Sequence, residues 1–155
     1  MVDLADLIHP DAIIHRLKSA HKTEVLLSMA EVAARVYGVD VSATLESTLE
    51  RERLGGTGVG DGVALPHARL KSITAPAAVL AVLESGVDFD APDGGTSDII
   101  VLLLSPEDAG ADHLKALARI SRLLRRPEIQ AGLRSANSVA AIHAFTSATI
   151  TSRAA

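Results

Sequence analysis

Two short stretches do most to limit what this chain can fold into. Residues 77–83 read AAVLAVL and residues 99–104 read IIVLLL. Neither alternates apolar with polar residues, as a strand with one wet face would. Uninterrupted runs of this kind fit strands covered on both faces. The remaining periodicity is helical, so the pattern predicts an α/β domain, a mixed sheet flanked by helices on both faces. The core must be aliphatic, because 48% of residues are hydrophobic but only 2% are aromatic. At 155 residues the chain has the length of one domain. That domain is expected over residues 1–150, with 151–155 as a frayed tail.

The sequence predicts a short strand over residues 12–17. From Lys22 to Tyr37, Val25, Leu26, Met29, Val32, Ala33 and Val36 recur at helical spacing, and Gly38 supplies a stop. A second helix is expected over 42–54, with Asp40 or Ser42 as N-cap and Val41, Leu45, Thr48 and Leu49 as its apolar face. Residues 55–70, GGTGVGDGVALPHARL, read as a glycine-rich loop. The stretch VDFDAPDGGTSD between the apolar runs carries turn signals at Pro92 and Gly94-Gly95. A third helix is expected over 111–125. Leu114, Leu117, Ala118, Ile120, Ser121 and Leu124 form one face, and Lys115, Arg119, Arg122 and Arg126 the other. Pro127 opens a short helix, and a last one runs from Val139 to Phe145.

Several function classes fall away. The formal charge is −4, and the aromatic residues are only Tyr37, Phe89 and Phe145, so neither the basic footprint nor the stacking platform of a nucleic-acid binder is present. There is no cysteine, which excludes disulfides and thiol catalysis. The acidic start is unlike a signal peptide, and the longest apolar run is too short to cross a bilayer. A soluble cytoplasmic protein without membrane insertion is therefore expected. His9, His15, His21 and His143 show no ligand spacing, so no metal and no cofactor is expected.

The chemistry concentrates in residues 49–70, LERERLGGTGVGDGVALPHARL. Gly55, Gly56, Gly58, Gly60 and Gly62 allow positive φ and bring backbone amides close to a ligand. No GxGxxG and no Walker lysine is present, so a nucleotide site is a poor reading. His67 follows Pro66, whose fixed φ stiffens the approach to the imidazole. Taken alone, His67 reads first as a turn residue; a nucleophile would profit from the rigid mount. His113 opens the helix after the second apolar run, where helix amides favour anions; it reads equally as an exposed first-turn residue. Arg51 and Arg53 precede the loop. A guanidinium fork suits phosphate, although an arginine near a helix C-terminus also compensates the dipole.

Taken together, RERLGGTGVGDGVALPHARL and ADHLKALARISRLLRRPEI resemble type-2 enzyme IIA domains of the bacterial phosphoenolpyruvate-dependent phosphotransferase system. The resemblance spans about residues 3–147 and is strongest to the stand-alone nitrogen-regulatory branch. It implies a mixed sheet of about five strands between helices. It also implies that His67 is the phosphorylated residue, that Arg51 and His113 complete the site, and that loop amides around Thr57, Gly58 and Gly60 hold the phosphoryl group. Three positions depart from the family pattern. Gly56 stands where serine is common, Asp61 where asparagine or glutamate is frequent, and Ala68 where glycine is frequent. Loss of the serine hydroxyl and the negative charge of Asp61 are expected to act near the site.

The implied reaction moves a phosphoryl group between imidazoles without a nucleotide. The implied donor is a histidine-containing phosphocarrier protein. The implied targets, in nitrogen- or potassium-type metabolism, are regulatory partners such as a transporter or a sensor kinase. Two alternatives stay open: a sugar-specific enzyme IIA feeding a permease, and a binding regulator that has lost phosphotransfer.

Overall fold

The computed structural model describes the backbone of residues 4–154 and the side chains of residues 6–146. The apolar runs form two long neighbouring strands of one mixed sheet, β5 (Ala77–Val87) and β6 (Ser97–Pro106), which pair antiparallel. In β6, Ile99, Val101 and Leu103 join the core on one face, and Ile100, Leu102 and Leu104 join the core on the other. All six are fully buried. This explains the missing polar alternation, since neither face of the strand meets water.

β1 (Ile8–Leu17) lies parallel to β5 and starts earlier than the expected strand over 12–17. The other edge of β6 carries three short strands that the sequence presented as a loop: β2 (Gly58–Gly60), β3 (Val63–Ala64) and β4 (His67–Leu70). β3 and β4 both run parallel to β6, one after the other along its length, and β2 pairs with β3. The sheet thus has six strands rather than about five. The β2–β3 connection turns at Asp61 and Gly62, both at positive φ (58° and 80°), as a two-residue type I′ hairpin turn requires.

The helices follow composition closely. α1 (Leu4–Leu7) is a single turn. α2 (Lys22–Tyr37) ends at Gly38, at φ 75°, whose amide donates to Ala34 O. α3 (Val41–Leu54) is capped by Asp40, whose carboxylate accepts from the Ala43 amide at 2.8 Å. Its inward face is only partly the expected one: Thr48 is buried as expected, but Thr44 and Glu52 join it, while Leu45 and Leu49 only flank the core. Thr48 donates its hydroxyl to Thr44 O, and Glu52 binds Lys22 and Thr57, whereas the buried Thr44 hydroxyl has no hydrogen-bond partner among the described residues.

α4 (Ala111–Leu124) buries His113, Ala116, Ile120, Leu123 and Leu124. The expected apolar face is therefore rotated, and Leu114 stands 64% exposed. α5 (Pro127–Ser135) opens on its proline. α6 extends from Val139 to Ala154, well past the expected end at Phe145. Ala155 lies outside the described residues. α2 and α3 pack on one sheet face, and α4, α5 and α6 on the other. No helix among the described residues is long and apolar enough to cross a membrane.

Candidate phosphoryl-transfer site

The site is assembled where β4, the last turn of α3 and the first turn of α4 meet. His67 opens β4, in register with Leu103 of the central strand. The residues just before it are fastened too. The Leu65 amide donates to Thr57 O at 3.0 Å, and the Leu103 amide donates to Pro66 O at 3.0 Å. Pro66 has no amide to lose and fixes its own φ, so the mount is rigid on both counts.

Both imidazole nitrogens of His67 are engaged. Nδ1 lies 3.0 Å from Leu65 O, a carbonyl that can only accept, so Nδ1 carries the proton. Nε2 is then the lone-pair nitrogen, and Arg51 Nε donates to it at 3.1 Å. Arg51 is braced in turn, since its Nη1 donates to Gly55 O at 2.7 Å. Burial, seconded by the guanidinium charges of Arg51 and Arg69, lowers the His67 pKa, although the Leu65 carbonyl works the other way. A neutral imidazole with its lone pair on Nε2 results, the form a nucleophile needs.

His113 faces it, with ring centroids 5.0 Å apart and planes tilted by 59°. Far from being an exposed first-turn residue, it is only 3% exposed. Burial foremost, then the charges at His67 and Arg69, bring its pKa down to about 4, so it is neutral at neutral pH. Its Nδ1 lies 2.6 Å from the hydroxyl of Ser105, a fully buried residue near the end of β6.

A cleft of about 590 Å³ opens over this group, lined by Arg51, His67 and His113 together with Arg69, Leu54 and Leu114. Arg69 had no place in the sequence reading. It lies two residues beyond His67, and on a strand that spacing puts both side chains on one face. Leu54, 86% exposed, and Leu114 form an apolar rim around the imidazoles.

In the glycine-rich segment the Thr57 and Gly58 amides have partners inside the protein. The Thr57 amide donates to Glu52 at 3.3 Å, and the Gly58 amide donates to Phe89 O at 3.0 Å. Both residues line a smaller cavity of about 300 Å³ beside Arg51 and His67, but with their amides already occupied. Gly60 belongs to the hairpin and lines neither cavity. The departures at Gly56 and Asp61 resolve in the same way. A Cβ at Gly56 would stand 2.4 Å from Phe89 O and 2.5 Å from Asp90 Cβ, so the backbone of residues 89–90 occupies the space a serine would need. Asp61 points to Arg125 at 3.4 Å and does not line the cleft, so its charge is compensated away from His67. Ala68 is buried in the core. Arg53 is exposed and takes no part in the cleft.

The family model for the phosphoenolpyruvate-dependent sugar phosphotransferase system, EIIA 2, matches residues 6–148. This chain belongs to that family. A nitrogen regulatory protein of Bradyrhizobium diazoefficiens is 44% identical over 140 residues, covering 90% of this chain and 92% of that protein. The fructose-specific EIIABC component of Bacillus subtilis is 34% identical over 140 residues, which cover 90% of this chain but 22% of that much longer protein. Among solved structures, the nitrogen regulatory protein IIA-Ntr from Neisseria meningitidis superposes with a TM-score of 0.85 at 26% identity, covering 92% of this chain and 98% of that one. The mixed α/β architecture is thus that of an enzyme IIA of the nitrogen-regulatory kind.

Proposed function

We propose that this enzyme IIA accepts a phosphoryl group on His67 Nε2 from a histidine-containing phosphocarrier protein, and that the phosphorylation state of His67 is its regulatory output. The observation that carries this reading is the polarity of the His67 ring: Nδ1 is committed as donor to Leu65 O, so the nitrogen turned to Arg51 holds the lone pair.

In the transfer, the Nε2 lone pair forms a bond to phosphorus as the phosphorus–nitrogen bond of the donor breaks, and the donor imidazole departs with that electron pair. No proton has to move in this step. Positive charge develops on the His67 ring, and Leu65 O, already bonded to the Nδ1 proton, stabilises it. The transition state of such transfers is loose, so positioning and charge stabilisation dominate. Arg51 exchanges the Nε2 lone pair for a phosphoryl oxygen, and Arg69 and His113 face the same group. The apolar rim of Leu54 and Leu114 gives the donor protein a surface to seat on.

A regulatory role, with a transporter or sensor kinase as target, is favoured over feeding a sugar permease by the higher identity to nitrogen regulatory relatives, 44% against 34% for the fructose-specific one. Incubation with phosphoenolpyruvate, enzyme I and the phosphocarrier should add one phosphoryl mass to the wild type and none to His67→Ala. Full addition on His67→Ala, read by intact mass, would refute the assignment. Equal affinity of the phosphorylated and free forms for a regulatory target would refute the output.

A further inference from the structure

The structure assigns a role to Ser105 that no motif announces: its hydroxyl donates to His113 Nδ1 and thereby holds the His113 proton on Nε2, making this histidine a hydrogen-bond donor toward a phosphoryl group on His67. Ser105 is a positioning residue, acting through His113, and the inference rests on the phosphoryl-acceptor reading of His67.

The argument is one of satisfiability. The Ser105 hydroxyl and His113 Nδ1 are 2.6 Å apart, so they share one proton between them. Two arrangements are possible. If His113 Nδ1–H donates, the hydroxyl becomes the acceptor and its own proton needs a second partner. No other side-chain hydrogen bond of Ser105 occurs among the described residues, and Ser105 has no surface open to solvent. A buried donor would be stranded, with the loss of its hydration left uncompensated. If Ser105 donates instead, its proton is used, the Nδ1 lone pair is used, and the one remaining imidazole proton sits on Nε2.

The protonation state closes the argument. Buried beside His67 and Arg69, His113 stays neutral at neutral pH and carries one ring proton, so the partner of one nitrogen decides what the other can do. In the opposite tautomer, Nε2 would present a lone pair to the anionic phosphoryl oxygens and repel them. The strand supplies the rigidity this selection needs. Ser105 pairs with Arg69 in the β4–β6 register, so the serine is fixed in the same sheet that holds His67.

Nitrogen-15 imidazole spectra of the whole protein test the tautomer independently of any transfer. In the wild type, the His113 resonances should show a protonated Nε2 and an unprotonated Nδ1. Ser105→Ala should give a mixture or a reversal, while Ser105→Thr, which keeps the hydroxyl, should retain the wild-type pattern. In single-turnover transfer from the phosphocarrier, Ser105→Ala should react about tenfold more slowly at saturating donor, with the half-saturating donor concentration unchanged, as expected when a contact group loses its aim. Far-UV circular dichroism confirms that the variants are folded. A wild-type His113 protonated on Nδ1 would overturn the proposal, as would a Ser105→Ala protein with the wild-type tautomer and rate. If the wild type took no phosphoryl group on His67, the acceptor reading would fall, and the spectra would still decide the tautomer.

Discussion

The burial of His113 makes acid stability a quantitative test of the site. Its folded pKa is about 4 against about 6.5 in an unfolded chain, so acid favours the unfolded state, which takes up the proton first. The contribution of His113 to stability is therefore complete above pH 6.5 and is lost as pH falls toward 4. Integrating the linkage gives a loss of about 2 kcal/mol by pH 5 and about 3 kcal/mol by pH 4. Against the 5–15 kcal/mol typical of a domain, that is a large share. The perturbation is His113→Gln, which keeps a polar side chain near Ser105 but cannot titrate. Urea unfolding of both proteins between pH 7.5 and pH 4 isolates the term, because every other side chain is common to both. The wild type should lose about 3 kcal/mol more than the variant across that range. A difference between the two proteins that stays flat with pH would refute the buried, neutral assignment and remove the basis for a donating His113.

Other expectations follow from the same geometry. Arg51→Lys keeps a charge but loses the fork that reaches both His67 and Gly55, and should slow single-turnover transfer about 100-fold, the usual cost of one preorganised donor; a rate within twofold of wild type would dismiss the contact. Gly56→Ser should cost about 1–3 kcal/mol of unfolding free energy, measured by denaturant titration, because Phe89 O already fills the space. Leu114→Asp places a charge on the apolar rim and should raise the donor concentration needed for half-maximal transfer while leaving the saturated rate unchanged, measured by stopped flow.

Much of this fold is written locally. α2 begins and ends where the periodicity and Gly38 put it, because a left-handed glycine is a strong local stop. β5 and β6 are legible because six consecutive buried residues in one and seven in the other leave no room for another element. The three short strands from Gly58 to Leu70 were not, since at two to four residues they have no periodicity to detect. Asp61-Gly62 between Val59 and Val63 was the available hairpin signal, overshadowed by glycines that seemed to invite phosphate. That misreading concealed Arg69, whose shared face with His67 exists only once β4 is a strand. The inward face of α3 is legible at Thr48 but not at Thr44 or Glu52: Glu52 becomes acceptable in a core only through its contacts with Lys22 and Thr57, which lie outside the helix. The polar residue that interrupts the apolar run at Ser105 was visible, but only its contact with His113 gives it meaning.

The parallel pairing of β4 with β6 also has a kinetic consequence. On the proposed function, a nucleophile in register with the central strand, its neighbours tied on both sides, would not swing out to meet a donor. Every partner must come to the same fixed spot, and none has to trigger an opening. Traffic through His67 is therefore governed by encounter: the second-order rate should respond to ionic strength and viscosity, and the bound step should not wait on a hinge. On the proposed function, such a patch is equally open to a protein that loads it and to one that reads it, so the two would compete for occupancy.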